Sequence, residues 1–451
     1  MSPNKIEDSN PHLLLINPWI HDFAAYDFWA KPLGLLQLAG IFRDCGAQVS
    51  YIDCLDRFHP RLKSAHHAGR QGRGAYQKTK ILNPAGLEDV PRQYSRYGIP
   101  ISWFQEDLAA MSRPDIVLVT SLMTYWYPGV QETIQYIRDA FPDIDVVLGG
   151  IYATLCQRHA IHHSGADVVV SASETGAVLK ALSKATDLNL APGFDDKCLD
   201  AYPYPAFDLQ SHIPYVPLQT SNGCPYQCAY CASHFLQPRF QLRSPESVVA
   251  EIQHWHQAYG VVDFAFYDDA LLVNAEKHII PILEKVISLA VPIRFHTPNA
   301  MHAKAIDDYL AKLMARAGFE TIRLGIETAD FENRSHLDQK VTQEDFVDSV
   351  QALQNAGFTQ KQIGAYILVG LPGQSISAVE KTIQVVKSAG ATPIMAHYSP
   401  IPHTALWPDA VAASRYDLDA DPIFTNNAVS PCQQEPFSWQ TLSHLKNLIA
   451  G

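Results

Sequence analysis

The sequence predicts an α/β protein made of two successive alternations of strand and helix: a doubly wound parallel sheet, then a partial barrel of six β–α units. Three observations carry this. Strand-length apolar runs alternate with helix-spaced segments along most of the chain. The strands of the first alternation are apolar without interruption, as in Ile116-Val117-Leu118-Val119, which is how strands covered on both faces read. A loop-rich stretch then separates a second alternation whose six units suit an open or closed barrel better than another flat sheet.

In order, His12–Asn17 reads as a buried strand ended by Pro18, 34–43 as a helix and 48–53 as the next strand. Strands follow at 115–120, 146–149 and 167–170, with a helix over 128–140. This places a doubly wound domain over 11–185. Residues 186–212, with Pro192-Gly193 and Tyr202-Pro-Tyr-Pro205, read as a linker. The second alternation has strands near 215–220, 262–267, 293–296, 321–326, 364–369 and 394–398, with helices such as 245–259 and 305–317, and fills 213–410. The tail, 411–451, reads as irregular.

Hydrophobic residues make up 47% of the 451 and charged residues 18%, a balance that excludes wholesale disorder. No apolar run approaches the ~18–20 residues of a membrane span, and the polar, acidic start lacks the pattern of a signal peptide. A soluble, cytoplasmic protein is expected, with no membrane partner. The net charge of −12 argues against a chain devoted to nucleic acid. Residues 57–100 run the other way, with nine Lys/Arg against two acids and with Tyr76, Tyr94 and Tyr97 among them. This basic insert is expected as a solvated loop, or else as a clamp for an anionic substrate or RNA.

Three of the eight cysteines crowd into eight positions, as Cys224-Pro-Tyr-Gln-Cys228-Ala-Tyr-Cys231, directly after the first strand of the second alternation. Three thiolates on one strand-end loop can converge on a soft-metal centre at the active face of a barrel. His234 extends the run and leaves a structural zinc site, in a non-catalytic metal-binding protein, as the competing reading. His159 and His163 are spaced as a metal pair would be, although a surface helix face accounts for them better. Cys45, Cys54, Cys156 and Cys198 read as buried or inert thiols. Cys432 is the one isolated cysteine worth testing as an extra ligand or hydrogen-atom donor.

The Cys-x3-Cys-x2-Cys spacing resembles the signature of the radical SAM superfamily. The resemblance implies that Cys224, Cys228 and Cys231 each hold one iron of a [4Fe–4S] cluster, with the fourth iron left to S-adenosylmethionine (SAM). One electron, from a donor such as flavodoxin or ferredoxin, would then cleave SAM to methionine and a 5′-deoxyadenosyl radical. Tyr230 sits where relatives commonly place an aromatic over the adenine. Phe266-Tyr-Asp268-Asp-Ala270 looks like the second-strand segment that approaches SAM. Leu324-Gly325-Ile-Glu327-Thr328 resembles the Gly-Ile-Glu-Ser element, and 364–373, with Gly370, resembles the fifth-strand segment beside the adenine. Ser399-Pro-Ile-Pro402 ends the sixth strand as in many relatives. Read alone, Gly370 and Gly373 could shape a turn and Glu327 could make an ion pair.

Residues 11–185 resemble the Rossmann-like cobalamin-binding domain that precedes the TIM-type barrel in one large subgroup. Asn17-Pro18, 32–39 and Val147-Leu-Gly149-Gly150-Ile-Tyr-Ala-Thr154 carry the match. Ligands of such sheets bind beyond the strands' carboxyl ends, which puts Asn17, Ser121, Gly149 and Gly150 forward as cobalamin contacts. No Asp-x-His-x-x-Gly occurs, and Ser171-Ala-Ser-Glu174 stands where the subgroup has Gly-Glu-Gly-Glu. With cobalamin bound, the resemblance implies methyl transfer to a carbon or phosphorus of a small molecule; without it, a radical rearrangement, cyclisation or oxidation.

Overall fold

A computed structural model describes the chain except for residues 1–9, 63–69, 172–174, 187–192, 196, 331–336, 339–340, 434–438 and 451. The chain divides into two compact units, Met1–Ile213 and Pro214–Gly451.

The first unit begins with β1 (His12–Asn17), β2 (Ile20–Asp22), α1 (Leu33–Asp44) and β3 (Gln48–Asp53). β4 (Lys78–Lys80), β5 (Ser95–Tyr97), α2 (Ile101–Ala110), β6 (Ile116–Val119) and α3 (Tyr127–Ala140) follow. β7 (Asp145–Leu148), α4 (Ile151–Leu155), α5 (Gln157–His163), β8 (Val168–Val169) and α6 (Thr175–Thr186) complete it. The main sheet runs in the order β3-β1-β6-β7-β8, all parallel. Its switch of direction falls between β1 and β6.

The uninterrupted apolar strands are explained by their two faces. Leu14, Ile16, Val117, Val119, Val146 and Leu148 face one core with Phe104, Ile134 and Ile137 of α2 and α3. Leu13, Leu15, Ile116, Leu118 and Val147 face the other with Leu35, Phe42, Leu179 and Leu182 of α1 and α6. Each fully buried aliphatic side chain contributes about 1.5–3 kcal/mol, so a polar residue at any of these positions is costly.

The described part of the expected linker packs on α1. Ala206 N–H donates to Leu36 O at 2.9 Å, and Gln37 donates to Pro203 O at 2.6 Å. A Cβ on Gly40 would stand 2.4 Å from Tyr204 O, so only glycine admits this approach.

The basic insert departs from the expected solvated loop. Its β4 and β5 join β2 in a three-stranded antiparallel sheet, order β2-β5-β4. Tyr76 and Tyr97 close a small core with Ile20 and Leu55. Three of its nine cations are matched by carboxylates elsewhere in the chain: Arg57 by Asp27 (2.8 Å, both side chains buried), Arg61 by Asp107 (2.9 Å) and Arg96 by Glu132 (2.9 Å). The excess of cations was legible, but their carboxylate partners lie outside the insert in sequence. Lys63 and the side chain of Arg70 lie outside the described residues.

The second unit opens with β9 (Val216–Leu218) and a short hairpin, β10 (Ser221–Asn222) and β11 (Gln241–Leu242), which encloses α7 (Ser233–Leu236). Then come α8 (Pro245–Tyr259), β12 (Asp263–Phe266), α9 (Ile279–Leu289), β13 (Arg294–His296), α10 (Asp308–Ala317) and β14 (Phe319–Glu327). α11 (Gln343–Asn355), β15 (Ile363–Val369), α12 (Ile376–Ser388), β16 (Thr392–His397), α13 (Trp407–Ala413) and α14 (Trp439–Ala450) end it. Six parallel strands stand in the order β16-β15-β14-β13-β12-β9, with β9 and β16 as the two edges, so the barrel is open. Phe266, Phe295 and Phe319 fill its core, with centroids 5.1–5.7 Å apart. Helix ends follow local chemistry: Ser244 caps α8 ahead of Pro245 and Gly260 closes it, and Thr342 with Asp345 forms a capping box on α11.

The tail is not irregular throughout. α13 and α14 are helical, Leu442 and Leu445 of α14 are buried one turn apart, and Lys387 of α12 donates to Leu448 O at 2.9 Å. The apolar stripe of α14 is too short to stand out before its partner α12 is placed. No helix among the described residues is long and apolar enough to cross a membrane.

Candidate cofactor sites at the strand ends

The cysteine loop leaves the carboxyl end of β9 through the neck of the β10–β11 hairpin. Gly223 stands in that neck at φ +73°, and a Cβ there would lie 2.5 Å from Arg239 O. Two backbone bonds tie the loop to distant segments: Ala229 N–H to Leu337 O and Leu406 N–H to Ala229 O, each 2.8 Å. Ala229 and Tyr230 pack on an apolar cluster that includes Leu337, Leu371, Tyr398 and Leu406. Cys228 is buried, while Cys224 and Cys231 are partly exposed; all three are free of disulfides. The Cys231 sulfur accepts from the Ser233 N–H at 3.4 Å and lies 3.2 Å from Ser233 Oγ. Among the described residues no three His, Cys, Asp or Glu side chains converge on a single ion. A cubane cluster does not require this, because each thiolate binds a different iron corner. Three unbridged thiols on one pinned loop at a barrel's carboxyl end fit such a group.

Tyr230 joins the loop to β14. Burial, then the negative charges of Glu327, Cys228, Asp338 and Cys231, hold its hydroxyl well above the usual range, so it stays protonated. Its hydroxyl lies 3.5 Å from Asp338. Glu327 is buried at 7% exposure and adopts φ +57°, where the β14–β15 register shifts. A Cβ on Gly325 would stand 2.7 Å from Glu327 Oε1. The Gly-x-Glu spacing therefore has a steric reason: the carboxyl group folds back over the glycine. A left-handed glutamate costs about 1–3 kcal/mol and persists only where its surroundings enforce it.

Gly370, at φ +94°, opens the turn after β15. The Gln374 side chain closes that turn, accepting from Gly370 N–H at 2.8 Å and donating to Leu368 O at 2.9 Å. No atom would crowd a Cβ at Gly370, so backbone conformation, not space, calls for glycine there.

Asp268 has a different setting from the one expected. Its carboxylate is buried and turned inward, accepting from Thr220 Oγ1 (2.8 Å), Ser221 Oγ (2.5 Å) and Thr220 N–H (3.1 Å), while His278 Nε2 lies 2.9 Å from Thr220 Oγ1. It fastens the end of β12 to the segment that leads into the cysteine loop. Burial outweighs these hydrogen bonds and raises its pKa to about 6. Sequence reasoning missed Thr220, Ser221, His278, Gly223 and Asp338, whose roles exist only after folding. It also missed two ring pairs on the loop, Tyr226 with His302 and Phe235 with His403, with centroids 4.2 Å apart in each.

In the first unit the double glycine divides its work. Gly150, at φ +94°, lies so close to β6 that a Cβ would stand 2.3 Å from Ser121 O, whereas Gly149 has no atom within 4 Å of that position. The Cβ direction of Gly149 is therefore open at the sheet's carboxyl end, whereas Gly150, though exposed, turns its Cβ direction against the Ser121 carbonyl. Ser121 is buried and donates to Gly149 O at 2.7 Å. Asn17 is buried as well, donating to Asp53 at 2.7 Å, and Asp53 also pairs with Lys31 at 3.2 Å. Burial works against the Lys31 charge, yet Asp53, Asp27 and Asp56 outweigh it and raise its pKa. Residues 172–174 of the Ser171–Glu174 turn lie outside the described residues.

His159 is held by the Tyr152 hydroxyl at 2.7 Å and stacks on His163. Cys432 is buried, which pushes its thiol up to about 12, so it is no ready thiolate ligand. Cys54 is buried and Cys198 is exposed.

Residues 218–386 match the model of the radical SAM superfamily, and 104–181 match that of the B12 binding domain. An uncharacterized methyltransferase of Pyrococcus horikoshii, PH0819, is 25% identical over 329 residues, 66% of this chain and 70% of the relative. An anaerobic magnesium-protoporphyrin IX monomethyl ester cyclase of Rubrivivax gelatinosus is 23% identical over 330 residues; the match covers 65% of this chain and 58% of the relative. Among solved structures, the radical SAM methyltransferase TsrM from Kitasatospora setae, with cobalamin and a [4Fe–4S] cluster bound, has a TM-score of 0.63 at 16% identity, covering 90% of this chain and 76% of that one. The cobalamin-dependent SAM radical enzyme OxsB has a TM-score of 0.55 at 13% identity, covering 92% of this chain and 57% of that one. The first match spans the cysteine loop and displaces the zinc-protein reading. The chain is thus a radical SAM enzyme that carries a B12-binding domain ahead of its radical SAM domain, with a [4Fe–4S] cluster, SAM and cobalamin as the cofactors these domains imply.

Proposed function

We propose that this chain is a cobalamin-dependent radical SAM methyltransferase acting on a small molecule, with Cys224, Cys228 and Cys231 as the cluster ligands. The observation that carries the reading is the pairing of two sites. A pinned loop presents three unbridged thiols at the end of β9, and an open glycine, Gly149, lies at the carboxyl end of a sheet of B12-binding type. When bound, the cluster and SAM supply a carbon radical that removes a hydrogen atom from substrate, and cobalamin supplies the methyl group.

The remaining steps belong to the chain's own residues. The Leu337 and Leu406 contacts hold Ala229, and so fix where the three sulfurs stand. Tyr230, kept neutral, closes one side of the SAM pocket without adding charge beside the thiolates. Gly325 and the folded-back Glu327 provide the opposite wall, where the carboxylate can accept from a SAM amino or ribose hydroxyl group. Gly370 shapes the turn beside the adenine, and Asp268 positions the loop from beneath. Gly149 admits the corrin, while Asn17, Ser121 and Gly150 keep the strand ends in place beneath it. Reductive cleavage of SAM needs one electron, for which we propose a donor of the flavodoxin or ferredoxin class.

Anaerobically reconstituted protein with SAM and a reductant is expected to release 5′-deoxyadenosine. Cys228→Ala is expected to lose the cluster absorbance near 400 nm and this product by at least ~100-fold. Stoichiometric retention of hydroxocobalamin through gel filtration supports methyl transfer. No retention by folded, cluster-loaded protein refutes it and favours a cobalamin-independent radical rearrangement, cyclisation or oxidation, the cyclisation being in line with the cyclase relative.

A further inference from the structure

Three of the insert's arginines pair with carboxylates, and Arg73 is placed differently. Arg73 has no ion pair or hydrogen bond of its side chain among the described residues. Its guanidinium instead lies 5.3 Å from the Phe28 ring centroid and 5.0 Å from that of Trp29. Phe28 is 44% exposed and Tyr26 46% exposed, with their rings 5.6 Å apart. Three groups able to hold one ligand, a cation with free donors and two aromatic faces, thus stand together at the surface.

The backbone beneath them is built and strained. Trp29 is fully buried at φ +64° and donates its indole N–H to the carbonyl of Gln71, itself at φ +57°. Left-handed conformations at two non-glycine residues cost about 1–3 kcal/mol each and persist where surroundings enforce them. Here the enforcement is visible. Asp27 and Gly74 bond backbone to backbone in both directions (2.9 and 3.0 Å), and buried Arg57 bridges the same two segments by pairing with Asp27 and donating to Gly72 O. The clamp holds Trp29 inward while Phe28 and Arg73 stay at the surface. Residues 23–32 follow β1 and β2, and the insert follows β3, so the platform grows from loops at the carboxyl end of the parallel sheet. Doubly wound domains take their ligands at that end.

We infer that Arg73, Phe28 and Tyr26 form a binding platform for a molecule that joins an anionic group, carboxylate or phosphate, to a planar unsaturated ring. The stacked guanidinium keeps its planar donor fork for the oxygens, and the rings take the ligand's π-face. Two sources share this chemistry: the phosphate-bearing nucleotide tail of cobalamin, and a planar acidic substrate. The second source rests on the proposed methyl transfer.

The test uses full-length, cluster-reconstituted protein and two probes of equal shape, 2-naphthoate and uncharged 2-naphthamide, titrated by calorimetry. Wild type is expected to bind the naphthoate at least ~5-fold more tightly. Arg73→Gln should abolish that preference, and Phe28→Ala should weaken both probes several-fold. Both side chains lie at the surface, and unchanged thermal melting will show that the variants are folded. Displacement of the naphthoate by hydroxocobalamin assigns the platform to the cofactor's tail; binding that survives saturating hydroxocobalamin assigns it to substrate. Equal affinity for the two probes in wild type, or a preference that survives Arg73→Gln, overturns the inference. The readout needs neither SAM nor turnover, so its failure and the failure of methyl transfer are separate results.

Discussion

The two sheets meet their ligand ends in opposite ways. In the first unit the polar groups at the strand ends are occupied by one another: Asn17 and Lys31 with Asp53, and Arg57 with Asp27, all buried. Among the described residues, backbone at Gly149 and Gly150 and the proposed platform around Arg73 stay accessible there. In the second unit the supporting network of Thr220, Ser221, Asp268 and His278 lies beneath a loop whose three thiols stay unbridged. The contrast follows from what each ligand asks of the protein. A large macrocycle needs shape and a rigid rim, whereas an iron–sulfur cluster needs specific side chains held without competitors.

The comparison breaks most sharply at the buried ion pairs. Asp27→Ala leaves the Arg57 charge buried and uncompensated, and is expected to lower stability in denaturant melts by about 3–5 kcal/mol. In the second unit the Arg294 side chain is 42% exposed, so Arg294→Ala is expected to cost only about 1 kcal/mol although its contact with Asp263 is bidentate. Similar losses at the two sites would remove the distinction between a closed rim and an open surface.

The double glycine sharpens it next. Gly150→Ala meets both a positive φ and the Ser121 carbonyl, and should lower stability by about 2–4 kcal/mol. Gly149→Ala, in open space, should leave melting within about 0.5 kcal/mol of wild type yet weaken hydroxocobalamin retention. Equal stability losses at the two positions would show that neither surface is open.

Acidity gives the smallest effect. The folded-state pKa of Asp268 lies near 6 against an ordinary 3.8, so the folded state binds its proton more tightly than the unfolded state does. The resulting stability is fully present below pH 3.8 and is lost as pH rises through about 6. With a shift of about two units, it amounts to roughly 2–3 kcal/mol. Asp268→Asn should flatten this part of the profile, as read from melts between pH 4 and 7. An unchanged slope would place the titration elsewhere.

Much of this architecture was legible before folding, because it depends on local pattern. Period-free apolar runs mark strands buried on both faces, and capped, helix-spaced segments such as Pro245–Tyr259 carry their own ends. The cysteine loop was legible because its three ligands are neighbours in sequence. The short helix α14 escaped notice because its apolar stripe, Leu442 and Leu445, is brief and finds its partner only once α12 is in place. The insert's small sheet and the pairing of Arg57, Arg61 and Arg96 were not legible because Asp27, Asp107 and Glu132 are distant in sequence.

The sequence by itself determined the two alternations, the cysteine loop and the glycines at strand ends, since chain stiffness, hydrophobic period and ligand spacing act over a few residues. Only the tertiary structure decided that Asp268 turns inward, that Glu327 folds over Gly325, that a Cβ would be blocked at Gly150 and free at Gly149, and that Arg73 stacks on Phe28 and Trp29. Each of these depends on which distant group arrives at a site. Burial and charge pairing are properties of that arrival, and not of the residue that awaits it.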